Sequence, residues 1–216
     1  DSHFKAPVDF TGAEFQDAEF TNADFKEGGK FCKTIFRGKT LFEGGGVGQK
    51  PLDYSEAIFE GDCIFNNFNI VKRIIFDGTV FQEVSFSYKD GKSIGHDPSF
   101  RGSLFRGKAV FGFTQNESIS FLENAKFYSE VCFNEAVLEK VEFCNVTFEG
   151  NLNFLSAQKI GTLLLSNCTL IGLIGRQNLR GLTAVDCSLS GQFDISKTQF
   201  QNRLYLERVK VSGKSN

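Results

Sequence analysis

The sequence has no tryptophan, no methionine, three prolines and two histidines in 216 residues. No apolar run approaches the roughly 20 residues that a membrane-spanning helix needs. The formal net charge of −2 is too small for long-range attraction to nucleic acid or to an acidic membrane. We therefore expect no nucleic-acid partner and no direct membrane insertion in this segment.

The six cysteines include no C-x-x-C pair, so the spacing predicts neither a metal site nor a dense disulfide framework. Three of them fill positions that alanine takes elsewhere in the pattern described below, and we expect buried free thiols there. These are Cys63, Cys168 and Cys187. The others adjoin a large apolar residue and should point outward: Cys32, Cys132 and Cys144. Free thiols and the lack of a visible signal peptide favour the cytoplasm.

Phenylalanine is abundant, with 26 residues, and it recurs at a fixed interval. Between residues 9 and 26 it occupies every fifth position, and alanine stands two residues before most of these positions. A period of five fits neither an α-helix nor a half-buried strand. It fits a chain that turns a corner every five residues and sends one small and one large side chain inward on each side. Such a pattern predicts a repeat architecture.

The pattern continues with one-residue slips to Val211. Four sides of five residues make one square coil, and coils stacked at about 4.8 Å let their backbones pair. We expect about ten coils in a single domain, residues 1–216, with loop excursions near 43–51 and 87–99. The predicted interior includes one large residue from each of many sides: Phe10, Phe15, Phe20, Phe25, Phe36, Phe59, Phe81, Phe105, Phe127 and Phe148. Open ends of such a stack should leave interior residues exposed.

The segments AEFQD, AEFTN and ADFKE resemble the pentapeptide-repeat family, whose quintets run small–polar–large–polar–polar. With the slips, the resemblance covers roughly Val8 to Val211. It implies an all-β fold, a right-handed quadrilateral parallel β-helix. It also implies mostly bacterial sources and partner-binding roles. Some family members protect type II topoisomerases by resembling duplex DNA in shape and charge.

No catalytic, cofactor-binding or metal-binding motif is present. The glycine-rich segment 44–48 lacks the Gly-Lys-Ser/Thr ending of a phosphate-binding loop. His96 has an aspartate beside it but no nucleophile. We interpret the second loop as a solvated contact segment for a protein partner, through Lys89, Asp90, His96 and Asp97.

Charge is uneven along the chain. Residues 9–27 carry a net charge of −5 and residues 158–216 one of +5, which favours end-to-end self-association or docking of a charged partner. The sequence therefore predicts a non-enzymatic scaffold that presents a rigid surface to a protein partner of unknown identity. One alternative is a DNA-mimicking, topoisomerase-protecting protein. Another is a repeat module of a larger membrane-associated or secreted protein.

Overall fold

The computed structural model describes residues 2–48, 50–70, 73–88, 98–112, 116–175, 179–196 and 198–213. Every regular element in these ranges is a β-strand, and every strand pairing is parallel. Pairing partners are separated by roughly one coil of chain, so the strands form ladders that run along the stack. Four such ladders make four walls around an apolar interior, and we call each turn of the chain a level.

Walls 1 and 2 begin with the quintets that end at Phe10 and Phe15. Wall 1 contains β2 Val8–Asp9, β6 Gly29–Lys30, β10 Leu52–Asp53, β13 Ile74–Ile75, β26 Leu182–Val185 and β29 Leu204–Glu207, with an isolated bridge at Ser99. Wall 2 contains β3 Glu14–Phe15, β7 Ile35–Phe36, β15 Leu104–Phe105, β18 Lys126–Phe127, β21 Thr147–Phe148, β24 Thr169–Leu170, β27 Ser188–Leu189 and β30 Lys210–Val211.

Walls 3 and 4 complete each coil. Wall 3 contains β4 Ala18–Thr21, β8 Thr40–Glu43, β16 Ala109–Gly112, β19 Val131–Cys132, β22 Asn151–Asn153, β25 Gly172–Ile174 and β28 Phe193–Asp194. Wall 4 contains β1 His3–Phe4, β5 Asp24–Phe25, β9 Gly46–Val47 and β12 Asn69–Ile70. Longer strands pass a corner: β11 Ile58–Asn66 and β14 Val80–Ser87 join walls 2 and 3, and β17 Asn116–Phe121, β20 Val137–Cys144 and β23 Lys159–Ser166 join walls 4 and 1.

The number of levels differs between walls. The ladder of wall 2 runs through ten levels from Phe15 to Val211. Wall 4 has eight paired levels in the described part of the chain, four from β1 to β12 and four from β17 to the bridge at Leu179. Complete four-walled coils therefore number about eight, slightly fewer than the ten that the sequence predicts.

Stacked rings fill the interior. In walls 1, 2 and 3 the large inward residue of each level stacks on the residue at the equivalent position of the preceding level. Where both residues are aromatic, their ring centroids are 4.4–5.5 Å apart. In wall 2 this column is aromatic at seven successive levels: Phe15, Phe36, Phe59, Phe81, Phe105, Phe127 and Phe148. The spacing follows from the backbone ladder, because parallel pairing fixes the distance between levels.

Burial of the large residues depends on their level. Phe25, Phe36, Phe59, Phe81, Phe105, Phe127 and Phe148 are at most 1 % exposed. In contrast, Phe10, Phe15 and Phe20 are only partly buried, although they pack against the core. These three belong to the first coil, where a second level covers each ring on one side only.

Each side of a coil has an inward position for a small residue, two residues before the large one, which we call the small slot. This position also accommodates hydroxyl groups. Thr79 and Ser103 of wall 2 are fully buried. Their hydroxyls donate hydrogen bonds of 2.7 Å to the carbonyl oxygens of Tyr54 and Phe76, respectively, in the preceding coil. Because a buried polar group is costly without a partner, these bonds explain why threonine and serine can replace alanine at interior positions.

The corner between walls 1 and 2 needs a left-handed residue at every level. The φ angle is +71° at Gly12, +67° at Gly78 and +61° at Gly102, and this conformation costs glycine no Cβ strain. Other levels place a larger residue there: Lys33, Glu56, Asn124, Asn145, Asn167, Asp186 and Arg208. The adjacent hydrogen bonds, such as Ala13 N–H to Phe10 O at 2.9 Å, close a four-residue turn.

The prediction of a loop near 43–51 is wrong. Thr40–Glu43 is a strand of wall 3, and Gly46–Val47 pairs with Asp24–Phe25 on one side and Asn69–Ile70 on the other. A Cβ on Gly45 would lie 2.4 Å from the carbonyl oxygen of Ala23. The glycines therefore permit close approach between levels of wall 4, whereas the sequence pattern suggested a flexible excursion.

The second predicted loop is shorter than 87–99. Ser87 ends β14, Tyr88 is 1 % exposed, and Ser99 pairs with Ile75 and Ser120. Residues 89–97 lie outside the described residues.

One column contains a residue that fits it imperfectly. Tyr54 stacks between Phe31 and Phe76, with centroids 4.7 and 5.2 Å away. Its hydroxyl is buried without a hydrogen-bond partner among the described residues, and desolvation raises its pKa well above the ordinary value. Replacing Tyr54 with Phe should therefore remove a cost while keeping the ring.

We expect Tyr54→Phe to increase the free energy of unfolding by about 1 kcal/mol, because it deletes an unsatisfied buried hydroxyl. Urea denaturation followed by circular dichroism would measure the change. Phe76→Tyr is the matched control, since it adds a hydroxyl to the same column and should destabilise the protein. A loss of stability in Tyr54→Phe would show that the hydroxyl has a partner.

The corner residues give a second prediction. A Cβ at Gly12 would have no heavy atom within 4 Å, so Gly12→Ala introduces backbone strain without a clash. We expect a loss of about 1 kcal/mol in the free energy of unfolding. The reverse change, Lys33→Gly, relieves a φ of +56° and should be neutral or stabilising in the same denaturation assay. Equal losses in both variants would contradict the left-handed requirement.

Candidate interaction surface

The side walls carry ion pairs between successive levels. Arg37 of wall 2 lies between Glu14 and Glu60, with N–O distances of 3.0 and 3.1 Å. Similar pairs recur along the stack: Lys33–Glu56, Lys50–Glu27, Arg101–Glu123, Lys108–Glu130, Lys126–Glu149 and Lys159–Glu139. Exposed pairs of this kind contribute little stability. They do mix the two signs of charge, so these parts of the walls present no continuous acidic stripe.

Within the described residues, His, Cys, Asp and Glu side chains form no group of three or more that could hold a metal ion. No helix in the described ranges is long and apolar enough to cross a membrane. The residues predicted to contact a partner from the second loop, Lys89, Asp90, His96 and Asp97, lie outside the described residues.

The C-terminal end of the stack exposes interior positions. Leu204 and Leu206 of β29 are 48 % and 47 % exposed, and Val211 of β30 is 48 % exposed. Strand β29 pairs only with β26, and β30 only with β27, so each has a free edge in the described structure. A free parallel edge with apolar side chains on its inner face can accept another strand. We call this surface, formed by Leu204, Leu206, Val209 and Val211, the C-terminal face.

Polar side chains surround the C-terminal face. Arg208 donates to both carboxylate oxygens of Asp186, at 2.6 and 2.9 Å, and also pairs with Glu207. These contacts lower the pKa of Asp186, mainly through the hydrogen bond from Arg208, so the carboxylate is charged at neutral pH. Arg203 lies over the Tyr205 ring, 4.1 Å from its centroid. Lys210 is exposed on the outer side of wall 2.

The N-terminal end of the stack also leaves inward rings partly uncovered, and the side chains around them are acidic. Within the described ranges, its strands β2, β3 and β4 pair only with the next level, β6, β7 and β8. Phe10, Phe15 and Phe20 are partly buried there. Exposed carboxylates surround these rings: Asp9, Glu14, Asp17 and Glu19. We call this surface the N-terminal face.

The sequence predicted exposed interior residues at open ends but did not name the residues of the C-terminal face. The signal was available, since Leu204, Leu206 and Val211 occupy small or large slots of the last repeats. Recognising them requires knowing that no further level covers them among the described residues. That depends on the pairing of β29 and β30 rather than on the repeat itself.

Comparison with protein families agrees with this geometry. The family described as Pentapeptide repeats (8 copies) matches residues 8–27. These residues supply the first strands of walls 1, 2 and 3 and the second strand of wall 4. The described residues form a parallel β-solenoid, and residues 8–27 carry the sequence pattern of pentapeptide repeats. No curated protein and no solved structure gives a significant match to the chain.

The cysteines of this solenoid are all free thiols. The prediction that three are buried is confirmed, with exposures of 1 % for Cys63, 2 % for Cys168 and 4 % for Cys187. The expectation of an exposed thiol at Cys132 is wrong, since it is 6 % exposed. Its position on wall 3 is covered by longer neighbours, Lys108 and Glu130, whose ion pair has an N–O distance of 3.3 Å.

Because Lys108 and Glu130 cover Cys132, its thiol should be alkylated slowly. Desolvation and the hydrogen bond with Glu130 raise its pKa to about 11 from the ordinary value of 9.0. At pH 8 we therefore expect it to react with iodoacetamide about a hundredfold more slowly than an exposed cysteine, because the thiolate is the nucleophile. Peptide mass spectrometry over time would compare Cys132 with the half-buried Cys144. Equal rates at the two sites would contradict the burial effect.

Proposed function

We propose that this protein is a non-enzymatic interaction scaffold whose two end faces are its contact sites, and that copies stack end to end, head to tail. The exposed C-terminal face carries the proposal. It combines two exposed leucines, an exposed valine and two free strand edges, which is the surface a further level would cover. Protein interiors of repeat folds are stabilised by such nearest-neighbour contacts.

The occupant that fits best is the N-terminal face of a second copy. Extending the ladder of wall 2 by one level would place Glu14 beside Lys210, since both are outward residues of the same column. Extending wall 1 would place Phe10 over Leu206 and Asp9 beside Tyr205, for the same reason. Apolar residues then meet apolar residues inside, and a carboxylate meets an ammonium group outside.

The net charges of the two ends favour the same arrangement. The first repeats are acidic and the last repeats are basic, so copies attract head to tail and repel head to head. A head-to-tail contact is heterologous and does not close on itself when the copies are related by translation along the stack. We therefore expect oligomers of increasing length rather than a fixed dimer.

The DNA-mimic alternative has weaker support. Such a protein would present acidic side chains along a whole wall, whereas Arg37 separates Glu14 from Glu60 on wall 2. Membership in a larger membrane-associated or secreted protein is compatible with the same faces, because a neighbouring segment could occupy either one. An enzymatic role that depends on a metal has no supporting group of His, Cys, Asp and Glu side chains among the described residues.

A charge swap tests the proposal. We expect the wild-type mass, measured by sedimentation velocity, to rise with protein concentration at low salt and to fall as salt screens the ends. Lys210→Glu and Glu14→Lys should each raise the dissociation constant about five- to tenfold, because attraction becomes repulsion. The double variant should recover most of the loss. Arg106→Glu, an exposed residue in the middle of the stack, changes the net charge equally and should have no effect.

Two results would overturn head-to-tail stacking. One is a wild-type monomer at every concentration and salt tested. The other is an oligomer whose dissociation constant does not respond to Lys210→Glu, which would place the contact elsewhere, for example between two C-terminal faces.

A further inference from the structure

Two buried cysteines occupy the same slot of successive levels. Cys168 and Cys187 each precede the wall 2 strands β24 and β27, which pair in register as Thr169 with Ser188 and Leu170 with Leu189. The amide of Ser188 donates a 2.9 Å hydrogen bond to the carbonyl oxygen of Cys168, so the backbones are in direct contact. Both side chains therefore lie in the same inward column, one level apart. The Cys168 thiol donates to the carbonyl oxygens of Phe143 and Ser166 at 3.3 Å, and the Cys187 thiol donates to the carbonyl oxygen of Val185 at 3.2 Å.

This spacing suits a disulfide. Neighbouring strands lie about 4.8 Å apart, and disulfides span Cα–Cα distances of about 4.4–6.8 Å. The Cβ atoms of a bridge are closer, at about 3.8 Å, so bonding would draw the two levels together locally. A bond formed under such strain is more readily reduced, which suits a reversible modification rather than a permanent link.

A small oxidant has a route to one of the two thiols. Cys187 lines an apolar recess at the C-terminal end together with Leu189, Leu206 and Val211. The recess has a volume of about 30 Å³, which is enough for a molecule the size of water or hydrogen peroxide. Cys168 does not line it and lies one level deeper.

The environments of the thiols also differ. Cys168 can donate a hydrogen bond to a thiolate at Cys187, and this interaction lowers the pKa of Cys187 and raises the pKa of Cys168. Because thiolates react with peroxides, the accessible member of the pair is also the one more easily ionised.

We propose that Cys168 and Cys187 are a redox modification site, at which hydrogen peroxide converts the stacked thiols into a disulfide joining two successive levels. The Cys187 thiolate attacks one peroxide oxygen, the O–O bond breaks, and hydroxide leaves, giving a sulfenic acid. The Cys168 sulfur then attacks the Cys187 sulfur and displaces its hydroxyl group, which leaves as water with the Cys168 proton. Two thiols are oxidised, and one peroxide is reduced to two waters.

The recess is lined by Leu206, Val209 and Val211 of the C-terminal face, so a stacked copy would cover it. The oxidation is therefore measured on dilute protein at high salt, where the proposed stacks dissociate.

The internal control is Cys63, which is 1 % exposed and fills the small slot of wall 3. Its neighbours in the ladder are Thr40 and Val84, so it has no cysteine one level away. Burial alone therefore cannot explain a difference between Cys63 and the pair.

The test treats the intact protein with hydrogen peroxide, alkylates the remaining thiols after unfolding, and maps tryptic peptides by mass spectrometry. Trypsin cuts after Lys159, Arg176, Arg180 and Lys197, so the two cysteines fall in separate peptides, 160–176 and 181–197. We expect these peptides to appear joined, two hydrogen atoms lighter than their sum, and to separate on reduction. Both thiols should disappear together and about tenfold faster than that of Cys63.

Single variants assign the order of events. In Cys168→Ala, Cys187 should still oxidise and accumulate as a sulfenic acid that a dimedone probe labels. In Cys187→Ala, Cys168 should remain a thiol as long as Cys63 does. Alanine is the usual residue of this slot, as at Ala57 and Ala125 in wall 2, so both variants keep the packing.

Three other outcomes would overturn the proposal. In the first, both thiols remain reduced for as long as the Cys63 thiol does. In the second, the wild-type protein accumulates a stable sulfenic acid at Cys187. In the third, either cysteine forms a bond to another site or to another molecule. If the stacking experiment fails while the joined peptides form, the modification site stands on its own.

Discussion

The stacking of one aromatic ring on the same residue of the next coil depends on the backbone ladder beneath it. Parallel pairing sets the distance between levels at about 4.8 Å, and the ring centroids of Phe36, Phe59 and Phe81 follow it at 4.6 and 5.1 Å. Rings at this distance are in offset contact, a favoured geometry for aromatic pairs. Backbone and side chains thus reinforce one spacing, and each residue is stabilised by its two neighbours along the column. The first and last levels that the structure describes each pair with one neighbour there, and in these levels Phe15 is partly buried and Val211 is exposed.

The walls and most of the interior could be predicted from the sequence, because a period of five specifies which residue of each side points inward. Ala18 and Phe20 were enough to predict wall 3, and their register with Thr40 and Phe42 confirms it. The coil count was less accurate, since slips of one residue per side accumulate over the chain. The sequence pattern did not assign the corner residues: Gly12 and Lys33 both adopt the left-handed conformation there, although their side chains have nothing in common.

Two failures have a common origin. The glycine-rich segment near Gly45 was interpreted as a loop, and Cys132 was expected to be exposed. Both inferences used local sequence alone, but a solenoid residue is surrounded mainly by residues about one coil away. Ala23 limits the space at Gly45, and Lys108, one coil earlier, helps to cover Cys132 through its ion pair with the nearby Glu130. A sequence pattern can give the direction of a side chain, but it cannot give the size of the neighbours one coil before and after.

The large inward residues change from aromatic to aliphatic along the stack, and this change affects how the two end faces can pack against each other. Phenylalanine gives way to leucine at Leu165 in wall 1 and at Leu170 in wall 2, so the last levels present aliphatic groups while the first present rings. A head-to-tail junction would therefore set phenylalanine on leucine. Wall 1 already pairs these two residue types within the chain, because Phe143 is in register with Leu165 one coil later. The junction would use a packing that the fold tolerates internally, together with charges of opposite sign on its outside. The two faces thus resemble the surfaces exposed by cutting the solenoid between two of its own levels.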